Sequence, residues 1–373
     1  MGSKRYLVLG AGVGKAIAYD LARSANTLLV AIGDIDTKKA IKVCLFLDKF
    51  SKVGCVPMPF DAEKTQNQVG IFRQFDVVIS ALPAKYNLKL AEAAILAGVH
   101  FCDLGGVIDV TREMLELNKK YPQTPVSVIP DCGLMPGLGI IIAKKLMRDM
   151  NGADSIEILV GGLPQKPQPP TFYQKVFHDE GLKHICYDMA PVLSEGEIKL
   201  VKPFHDYYQL EVPELKRFSS LFNGRIEAFD TAGASLAAWS FRDLGAKYFA
   251  EKTVRWPGFV NFFKTVPPHK FELVVEEFLN IPVDAENPDL VWMRVTTKKG
   301  DNRKSISLLD LYDNATDLTA MQRTTGFTTA IIAEMMAEGK TKLGVNTPEN
   351  AFDHLGINEA LDRVGRFLSL KET

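Results

Sequence analysis

The chain lacks the features that mark secreted, membrane-spanning and zinc-clustered proteins. Only five of its 373 residues are cysteines, and no two of them form a C-x-x-C pair. We therefore expect neither a disulfide framework nor a zinc cluster, and a reducing compartment such as the cytoplasm is favoured. There is also no signal peptide and no apolar run long enough to cross a bilayer, so we expect no membrane segment.

The chain also lacks an excess of charge of either sign, and its histidines lack the spacing typical of metal ligands. The 44 basic and 45 acidic residues leave a net charge of −1, so we expect no nucleic-acid or anionic-lipid partner. His178 and His184 are six residues apart, a spacing that does not place two imidazoles on one helix face. No G-x-S-x-G, H-E-x-x-H or Walker motif occurs, and we expect no metal site.

What the chain does have is a glycine-rich turn near its start. The predicted elements follow the order of a dinucleotide-binding unit: a strand over 5–9, the turn GAGVG over 10–14, a helix over 15–23 and a strand over 27–32. The spacing is G-x-G-x-G rather than the usual G-x-G-x-x-G. Strict spacing would put Lys15 at the third position, but we favour a turn shortened by one residue, in which Gly14 packs the helix against the strand.

An acidic residue follows the second strand. Asp34 lies where a carboxylate accepts hydrogen bonds from the ribose 2′-hydroxyl and repels a 2′-phosphate, so the sequence favours NAD over NADP. Asp36 is the alternative, but we assign it to the N-cap of a helix that begins near Thr37. Lys38 and Lys39 keep NADP open as the second choice.

Strands and helices alternate through the first 130 residues, which predicts a doubly wound parallel sheet. Further strands are expected over 55–59, 76–80, 99–102 and 126–130, and further helices over 37–50, 87–97 and 110–120. Ligands of such sheets bind at the carboxyl ends of the strands. The candidate cofactor-binding residues lie at these ends and are Gly10, Gly12, Val13, Gly14, Asp34, Asp61, Ala81, Leu82 and Pro83.

The pattern changes near residue 150. Strands expected over 155–160, 226–229, 291–297 and 305–312 indicate a mainly antiparallel sheet, and a helix is expected over 323–340. The predicted class is therefore α/β, with a second α+β domain. The predicted parts are a Rossmann-type dinucleotide-binding domain (1–132), a substrate-binding and oligomerisation domain (133–326), and a C-terminal segment (327–373) that packs back on the first domain.

The most specific signal is a set of motifs spread in order along nearly the whole chain. They are the glycine turn, DVVISALP (76–83), CDLGG (102–106), IPDCGLMPGLG (129–139), GGLPQKPQPP (161–170), VRWPG (254–258) and RTTGFTTAII (323–332). Together they resemble the saccharopine dehydrogenase/reductase-like superfamily, and within it the L-lysine 6-dehydrogenases.

The resemblance implies an amino-acid substrate and NAD-dependent oxidative deamination of the lysine ε-amine. The product would be 2-aminoadipate 6-semialdehyde, which cyclises to a piperideine carboxylate. The resemblance also implies a homodimer or homotetramer whose middle domain supplies the substrate pocket and subunit contacts. Met135 is a departure, because related saccharopine reductases carry an acid just before the Pro-Gly, and this favours lysine over saccharopine.

The implied chemistry needs a proton acceptor near the amine. Free lysine holds its ε-proton with a pKa of about 10.4, and hydride can leave the carbon only when the nitrogen lone pair is available. Asp103 and Asp131, each at a strand end, are the candidate catalytic residues. The structural alternatives are a turn before Gly105 for Asp103 and a helix cap before Pro136 for Asp131.

A forked guanidinium suits the carboxylate end of the substrate. The candidate substrate-binding residues are Arg255, Arg323, Thr324, Thr325 and Tyr173. Arginine is disfavoured near a helix N-terminus, which hints at a purpose for Arg323 beyond a salt bridge. For Tyr173 a core position is the alternative, and Glu227 is a weaker candidate for which a surface position is expected.

Three functions remain open from the sequence. The first is an NAD-dependent dehydrogenase acting on the terminal amine of L-lysine. The second is a saccharopine reductase or dehydrogenase that uses NAD or NADP. The third is a non-catalytic NAD-binding sensor, which the shortened glycine turn keeps open.

Overall fold

The computed structural model describes residues 2–64, 67–232 and 235–372. The chain forms two compact units, one of Met1–Ile141 with Gln322–Phe367 and one of Ile142–Met321 with Leu368–Thr373. Each unit has its own sheet and its own apolar core. Of the helices in the described residues, none has the length and apolar character needed to cross a bilayer.

The first unit is built on a parallel sheet. Its strands are β1 (Lys4–Leu9), β2 (Thr27–Asp34), β3 (Gly54–Pro59), β4 (Val77–Ser80), β5 (His100–Asp103), β6 (Ser127–Ile129) and, from the C-terminal part of the chain, β15 (Gly344–Val345). Their order is β15-β6-β5-β4-β1-β2-β3, and neighbouring strands are parallel. The predicted doubly wound parallel sheet is confirmed.

Helices connect these strands. The first unit contains α1 (Gly14–Arg23), α2 (Thr37–Leu47), α3 (Gln68–Phe72), α4 (Asn87–Ala97), α5 (Ile108–Lys120), α12 (Pro348–Ala351) and α13 (His354–Gly365), with a 3₁₀ turn at Ala84–Tyr86. The central strands are buried on both faces, so Leu7, Val8 and Leu9 of β1 are all inaccessible to solvent. This burial explains why β1 reads as a continuous apolar run.

The second unit contains a mixed sheet. Its strands are β7 (Ser155–Pro164), β8 (Ala190–Ser194), β9 (Glu197–Val201), β10 (Tyr208–Glu211), β11 (Arg225–Asp230), β12 (Tyr248–Arg255), β13 (Asp289–Lys299), β14 (Asn302–Leu311) and β16 (Leu370–Glu372). The order is β10-β11-β12-β7-β13-β14-β16, with β8 beside β12 and β9 beside β8. The β12–β7 pair is parallel and the other pairs are antiparallel, which confirms a mainly antiparallel second sheet.

The helices of the second unit are short. They are α7 (Asp179–Tyr187), α8 (Ala237–Asp243), α9 (Phe259–Phe263) and α10 (Phe271–Val274), which continues as a π-helix (Val275–Leu279), with 3₁₀ turns at Pro213–Phe218 and Pro268–Lys270. The unit boundaries fall inside two longer helices, α6 (Leu138–Asp149) and α11 (Ala320–Ala337). Helix α11 begins three residues before its predicted start, because the buried Asp289 carboxylate accepts hydrogen bonds from the N–H groups of Ala320 (2.8 Å) and Met321 (3.0 Å).

Two features differ from the sequence-based expectations. The segment predicted over 327–373 is divided, because β15, α12 and α13 belong to the first unit whereas β16 pairs with β14 in the second. Cys44 of α2 and Cys55 of β3 form a disulfide with a Cα–Cα distance of 5.3 Å. The sequence predicted no disulfide framework, and this single disulfide departs from that prediction because the packing of α2 beside β3 brings the two residues together, while Cys102, Cys132 and Cys186 are free.

Candidate functional site

The glycine turn begins against the end of a neighbouring strand. Gly10 has a left-handed backbone (φ +96°), and its N–H donates to the carbonyl of Gly33 (2.7 Å). A Cβ atom on Gly10 would lie 2.7 Å from the carbonyl oxygen of Ala81 and 3.2 Å from the Leu82 side chain. Glycine is therefore required both by the backbone conformation and by the close approach of the end of β4.

The other two glycines have different surroundings. A Cβ atom on Gly12 would meet nothing within 4 Å, whereas one on Gly14 would lie 2.9 Å from Val8 Cγ1. Gly14 thus lets α1 lie close to β1, which is the role of the third glycine in the usual spacing. The Lys15 side chain instead reaches α2, with Nζ 4.2 Å from the centre of the Phe46 ring. The geometry agrees with a turn shortened by one residue.

The two aspartates after β2 have separate roles. Asp36 caps α2 by accepting a hydrogen bond from the Lys38 N–H (3.0 Å), as predicted. Asp34 accepts hydrogen bonds from the N–H groups of Ala11 (2.8 Å) and Asp36 (2.9 Å). The Asp34 carboxylate therefore joins the end of β2 to the glycine turn, at the position where a ribose hydroxyl is expected.

A cavity of about 410 Å³ lies beside the ends of β2 and β3, and Ile35, Phe60 and Asp61 are among its lining residues. Asp61 accepts a hydrogen bond from the Glu63 N–H (3.0 Å) and pairs with Lys64 (3.4 Å). Its lining is about half apolar and half polar, and its volume is sufficient for a flat ring of the size of adenine.

These features fit a nicotinamide dinucleotide. Gly10 lets the turn pass close to the end of β4, and Gly12 faces open space, where backbone can approach a ligand. Helix α1 begins with Val13 as its N-cap, and no side chain of that residue caps the helix. The positive end of the helix dipole is therefore available to a pyrophosphate, with Asp34 placed for the ribose.

Two buried aspartates follow β5 and β6. Asp103 Oδ1 accepts hydrogen bonds from the N–H groups of Gly105 (2.7 Å) and Asp131 (3.3 Å), whereas Asp103 Oδ2 has no partner in the described residues. Asp131 has a left-handed backbone (φ +64°), and both of its carboxylate oxygens lie 3.2 Å from Thr111 Oγ1. Asp103 thus makes the predicted turn, while Asp131 bonds to α5 rather than capping a helix.

Burial changes the ionisation of both groups. Burial raises the pKa of the Asp103 carboxyl to about 7. Burial, and then the charge of Asp103, raise the pKa of Asp131 well above its ordinary value. Two adjacent carboxyls in a nonpolar setting do not both ionise readily. Burial and the charge of Asp103 therefore both favour the neutral form of Asp131, and Asp103 is the carboxyl whose pKa lies near neutrality.

A third acid belongs to this cluster and was not expected from the sequence. Glu349 is 2 % exposed, its Oε1 accepts a hydrogen bond from Thr347 Oγ1 (2.8 Å), and its charge further raises the pKa of Asp131. It follows β15, which has two residues and no apolar run to mark it. The Thr-Pro-Glu sequence, typical of a helix start, was the available signal. Among the described residues, no group of three His, Cys, Asp or Glu side chains could hold a metal ion.

In the second unit, Tyr173 and Arg255 lie together. The Arg255 guanidinium is buried between the rings of Tyr173 (4.6 Å) and Phe259 (5.3 Å), and its Nη1 donates to the Val254 carbonyl (2.8 Å). Arg255 Nε has no hydrogen-bond partner in the part of the chain that the structure describes. Burial lowers the pKa of the guanidinium, so an anion would stabilise its charged form.

Glu227 is not the surface residue that the sequence suggested. It is 1 % exposed, and its carboxylate accepts hydrogen bonds from the N–H groups of Gly258 (3.3 Å) and Val260 (2.7 Å) at the start of α9. It lies opposite Arg255 in the β11–β12 pair. The sequence pattern missed its burial because an acid in a strand usually faces solvent.

The candidate residues on α11 fall on different faces of the helix. Arg323 lies over the Phe327 ring (5.3 Å), and its Nη2 donates to the Phe367 carbonyl (3.4 Å). Burial raises the pKa of Asp20 to about 6, and the charges of Arg23 and then Arg323 offset part of that rise. This environment favours the structural alternative for Arg323. Thr325 faces the segment after Asp131, with its Cγ2 3.3 Å from the position of a Cβ on Gly133. Thr324 is fully buried.

Two family models match the chain, one after the other. The saccharopine dehydrogenase NADP binding domain matches residues 6–129, and the saccharopine dehydrogenase C-terminal domain matches residues 133–366. The chain belongs to the saccharopine dehydrogenase family. Membership of this family makes the protein an oxidoreductase with a domain that binds a nicotinamide dinucleotide, as the sequence predicted.

Solved structures add support at the level of the fold. The apo saccharopine dehydrogenase (L-Glu forming) from Saccharomyces cerevisiae is 14% identical, with 100% of both chains covered and a TM-score of 0.76. A myo-inositol dehydrogenase from Lactobacillus casei, solved with NAD(H) and myo-inositol, is 10% identical over 100% of this chain and 97% of that chain, with a TM-score of 0.46. The first similarity shows a shared fold, and the second is too weak to support a conclusion.

Proposed function

We propose that the protein oxidises the ε-amine of L-lysine with NAD. The product is 2-aminoadipate 6-semialdehyde, which cyclises to piperideine-6-carboxylate. The observation that carries this proposal is the state of Asp103, a buried carboxyl with one unpaired oxygen at the carboxyl end of β5. Ligands of doubly wound sheets bind at these strand ends, so the carboxyl is placed to act on a substrate amine.

The position of Asp34 supports NAD as the cofactor. Its carboxylate at the end of β2 would accept hydrogen bonds from a ribose 2′-hydroxyl and would repel a 2′-phosphate. Residues 6–129 match the saccharopine dehydrogenase NADP binding domain, and that match favours NADP as the alternative cofactor. Lys38 and Lys39, which lie near Asp34 in the sequence, also keep NADP as the second choice.

In the proposed reaction, Asp103 removes a proton from the substrate ammonium. A base with a pKa of about 7 is ionised at mildly alkaline pH, where it can accept the proton and leave the nitrogen lone pair free. Bound NAD supplies the hydride acceptor. After Asp103 has passed its proton to solvent, water attacks the iminium carbon and Asp103 accepts the proton that the water loses. The carbinolamine so formed expels ammonia, which leaves the aldehyde. Asp131 keeps Asp103 in place by donating its backbone N–H to Asp103 Oδ1.

Access to Asp103 Oδ2 is a requirement of this proposal. The oxygen is closed off from solvent, and after Leu104 come Gly105 and Gly106, whose backbones have positive φ angles (+71° and +111°). Gly105 lies against Asp131, since a Cβ atom on it would be 2.8 Å from Asp131 Cα. We infer that this glycine pair moves when the substrate amine enters.

Arg255 is the proposed partner of the substrate carboxylate. It is a buried guanidinium with an unpaired donor, and a carboxylate would satisfy both its charge and its hydrogen-bonding capacity. The Tyr173 ring holds one face of the guanidinium and so acts on the substrate through Arg255.

Saccharopine is the second candidate substrate, and the family match is the observation that favours it. Met135 weighs against it, because the sequence carries no acid just before the Pro-Gly. A proton donor or acceptor that related saccharopine reductases place there is therefore missing from this chain.

The test is absorbance at 340 nm with four combinations of substrate and cofactor. We expect NADH formation with L-lysine and NAD, and at least tenfold lower kcat/KM with NADP or with saccharopine. The Asp103→Asn variant serves as the inactive control. Turnover of saccharopine but not of lysine would replace the first proposal by the second. Cofactor binding without oxidation of any amine would support a sensor instead.

A further inference from the structure

The first turn of α11 touches the glycine turn. Gln322 Nε2 donates to the carbonyl oxygen of Gly12 (3.4 Å), and the same oxygen accepts a hydrogen bond from the Lys15 N–H (3.3 Å). The two residues of the side-chain contact are 310 positions apart in the sequence but belong to one compact unit. The contact therefore joins the C-terminal part of the chain to the segment that receives the pyrophosphate.

The position of Gln322 is fixed by the residues that follow it on the same helix face. A Cβ atom on Gly326 would lie 2.7 Å from Ala16 Cβ and 3.0 Å from the Ile17 nitrogen, so α11 and α1 meet closely at this glycine. Further along, Thr329 Oγ1 donates to the Cys132 carbonyl (2.9 Å). These contacts set the register of α11 against α1, and they hold the Gln322 amide beside the turn.

Holding the Gly12 carbonyl also sets the direction of the next N–H. Because the peptide bond is planar and trans, the Gly12 carbonyl and the Val13 N–H point in opposite directions. Two donors on the carbonyl side thus turn the Val13 N–H toward the opposite side. Two residues before Val13, the N–H of Ala11 is already engaged by Asp34. The turn is therefore held on one side by Asp34 and on the other by Gln322.

We propose that Gln322 is a positioning residue for the dinucleotide: its amide orients the Gly12–Val13 peptide so that the N–H faces the pyrophosphate. The inference rests on dinucleotide binding by the first unit and does not depend on which amine is oxidised. It assigns to the C-terminal part of the chain a role in cofactor binding that the motif near the start does not contain.

The experiment compares dissociation constants of NADH and ADP-ribose with that of adenosine, which lacks the pyrophosphate. In Gln322→Ala and in Gln322→Glu, which keeps the size but loses the amide donor, we expect Kd for NADH and ADP-ribose to rise about three- to tenfold. Kd for adenosine should not change. The matched control is Gln74→Ala, an exposed glutamine of the same unit, and melting temperatures should stay within about 2 °C of the parent.

Unchanged affinity for NADH in both Gln322 variants would overturn the inference. An equal loss for adenosine would also overturn it, since the residue would then support the domain rather than the pyrophosphate. A parent protein that binds NADH normally but oxidises no lysine would refute the proposed function and leave this inference standing. A parent that binds neither NADH nor ADP-ribose would refute both.

Discussion

Buried charges are arranged differently in the two units. In the second unit Lys252 is fully buried, and its Nζ donates to Asp230 Oδ1 (2.6 Å) and Asp206 Oδ2 (2.8 Å). In the first unit Asp103 and Asp131 are as deeply buried, but they meet N–H groups, a hydroxyl and each other. The Lys252 cluster of the second unit contains opposite charges, whereas the Asp103 cluster of the first unit contains only acids.

The partners of a buried charge indicate whether it stabilises the fold or serves a chemical function. Opposite charges that hydrogen-bond to each other compensate much of their desolvation, and such a cluster needs no ligand to explain it. A group of acids raises its own pKa values and lowers the stability of the fold, so its retention points to chemistry. We therefore expect substitutions in the Lys252 cluster to change folding, and substitutions at Asp103 to change activity.

The sharpest test of this comparison is Asp103→Asn beside Asp131→Asn. Removing a general base costs about 10²- to 10⁴-fold in kcat, so Asp103→Asn should lose that much lysine oxidation. Burial and the charge of Asp103 favour the neutral form of Asp131, and asparagine resembles that form and tolerates a left-handed backbone. We expect Asp131→Asn to lose less than about tenfold. Steady-state rates at pH 8 decide this, and equal losses in the two variants would contradict the assignment of the base.

The next effect is on folding. Lys252→Met removes the buried cation beside Asp230 and leaves the His205 imidazole (2.6 Å) as its remaining basic partner, so we expect the free energy of unfolding to fall by about 3–5 kcal/mol. Lys199→Met is the control, because Lys199 pairs with Glu195 (3.5 Å) at the surface and should change stability by less than about 1 kcal/mol. Urea unfolding measures both. A similar loss in free energy of unfolding for the two variants would show that the ion pairs of Lys252 do not compensate the desolvation of its cluster.

The two glycines of the turn give a third comparison. Gly12→Val should place a side chain in the space for the pyrophosphate and weaken NADH binding at least about tenfold, with little change in melting temperature. Gly14→Val should force α1 away from Val8 and cost about 1–3 kcal/mol of stability. Titration with NADH and thermal unfolding separate the two effects. Normal NADH affinity in Gly12→Val would contradict the placement of the phosphates.

The most gradual effect is on the pH dependence of stability. The pKa of Asp103 is about 7 when folded and about 3.9 in an unfolded chain, so between these values the folded state alone holds the proton. The free energy of unfolding should therefore fall as pH rises from about 4 to about 7, by at most about 1.4 kcal/mol per unit from this group. Asp103→Asn should lack this contribution. Urea unfolding at pH 5, 6 and 7 measures this. The prediction would be contradicted if the free energy of unfolding changed with pH by the same amount in parent and variant.

The sequence predicted the first unit better than the second. The strand ends that carry Gly10, Asp34 and Asp103 were predicted because a buried parallel strand is a continuous apolar run followed by a turn, which is a local pattern. The N-cap at Asp36 was predicted on equally local grounds. In the second unit the burial of Glu227 was missed, because it depends on α9, more than 30 residues away, offering N–H groups to a strand.

Contacts between distant segments were missed throughout. The Cys44–Cys55 disulfide, the Gln322–Gly12 hydrogen bond and the approach of Glu349 to Asp131 join residues whose sequence spacing carries no pattern. The sequence also did not indicate which residues of α11 face the glycine turn. Motif position suggested Arg323 for a ligand, whereas helix packing turns Gln322 and Thr325 toward the turn and the Asp131 segment.

The sequence by itself determined the class of the fold, the place of the dinucleotide turn and the family. These follow from apolar periodicity, from glycines that a backbone conformation requires, and from motifs in a fixed order, all of which are local properties. The tertiary structure decided which acid keeps an unpaired oxygen, which acid holds its proton and which helix residue holds the turn. Those outcomes depend on burial and on neighbours brought in from distant parts of the chain, because desolvation and hydrogen bonding act through space.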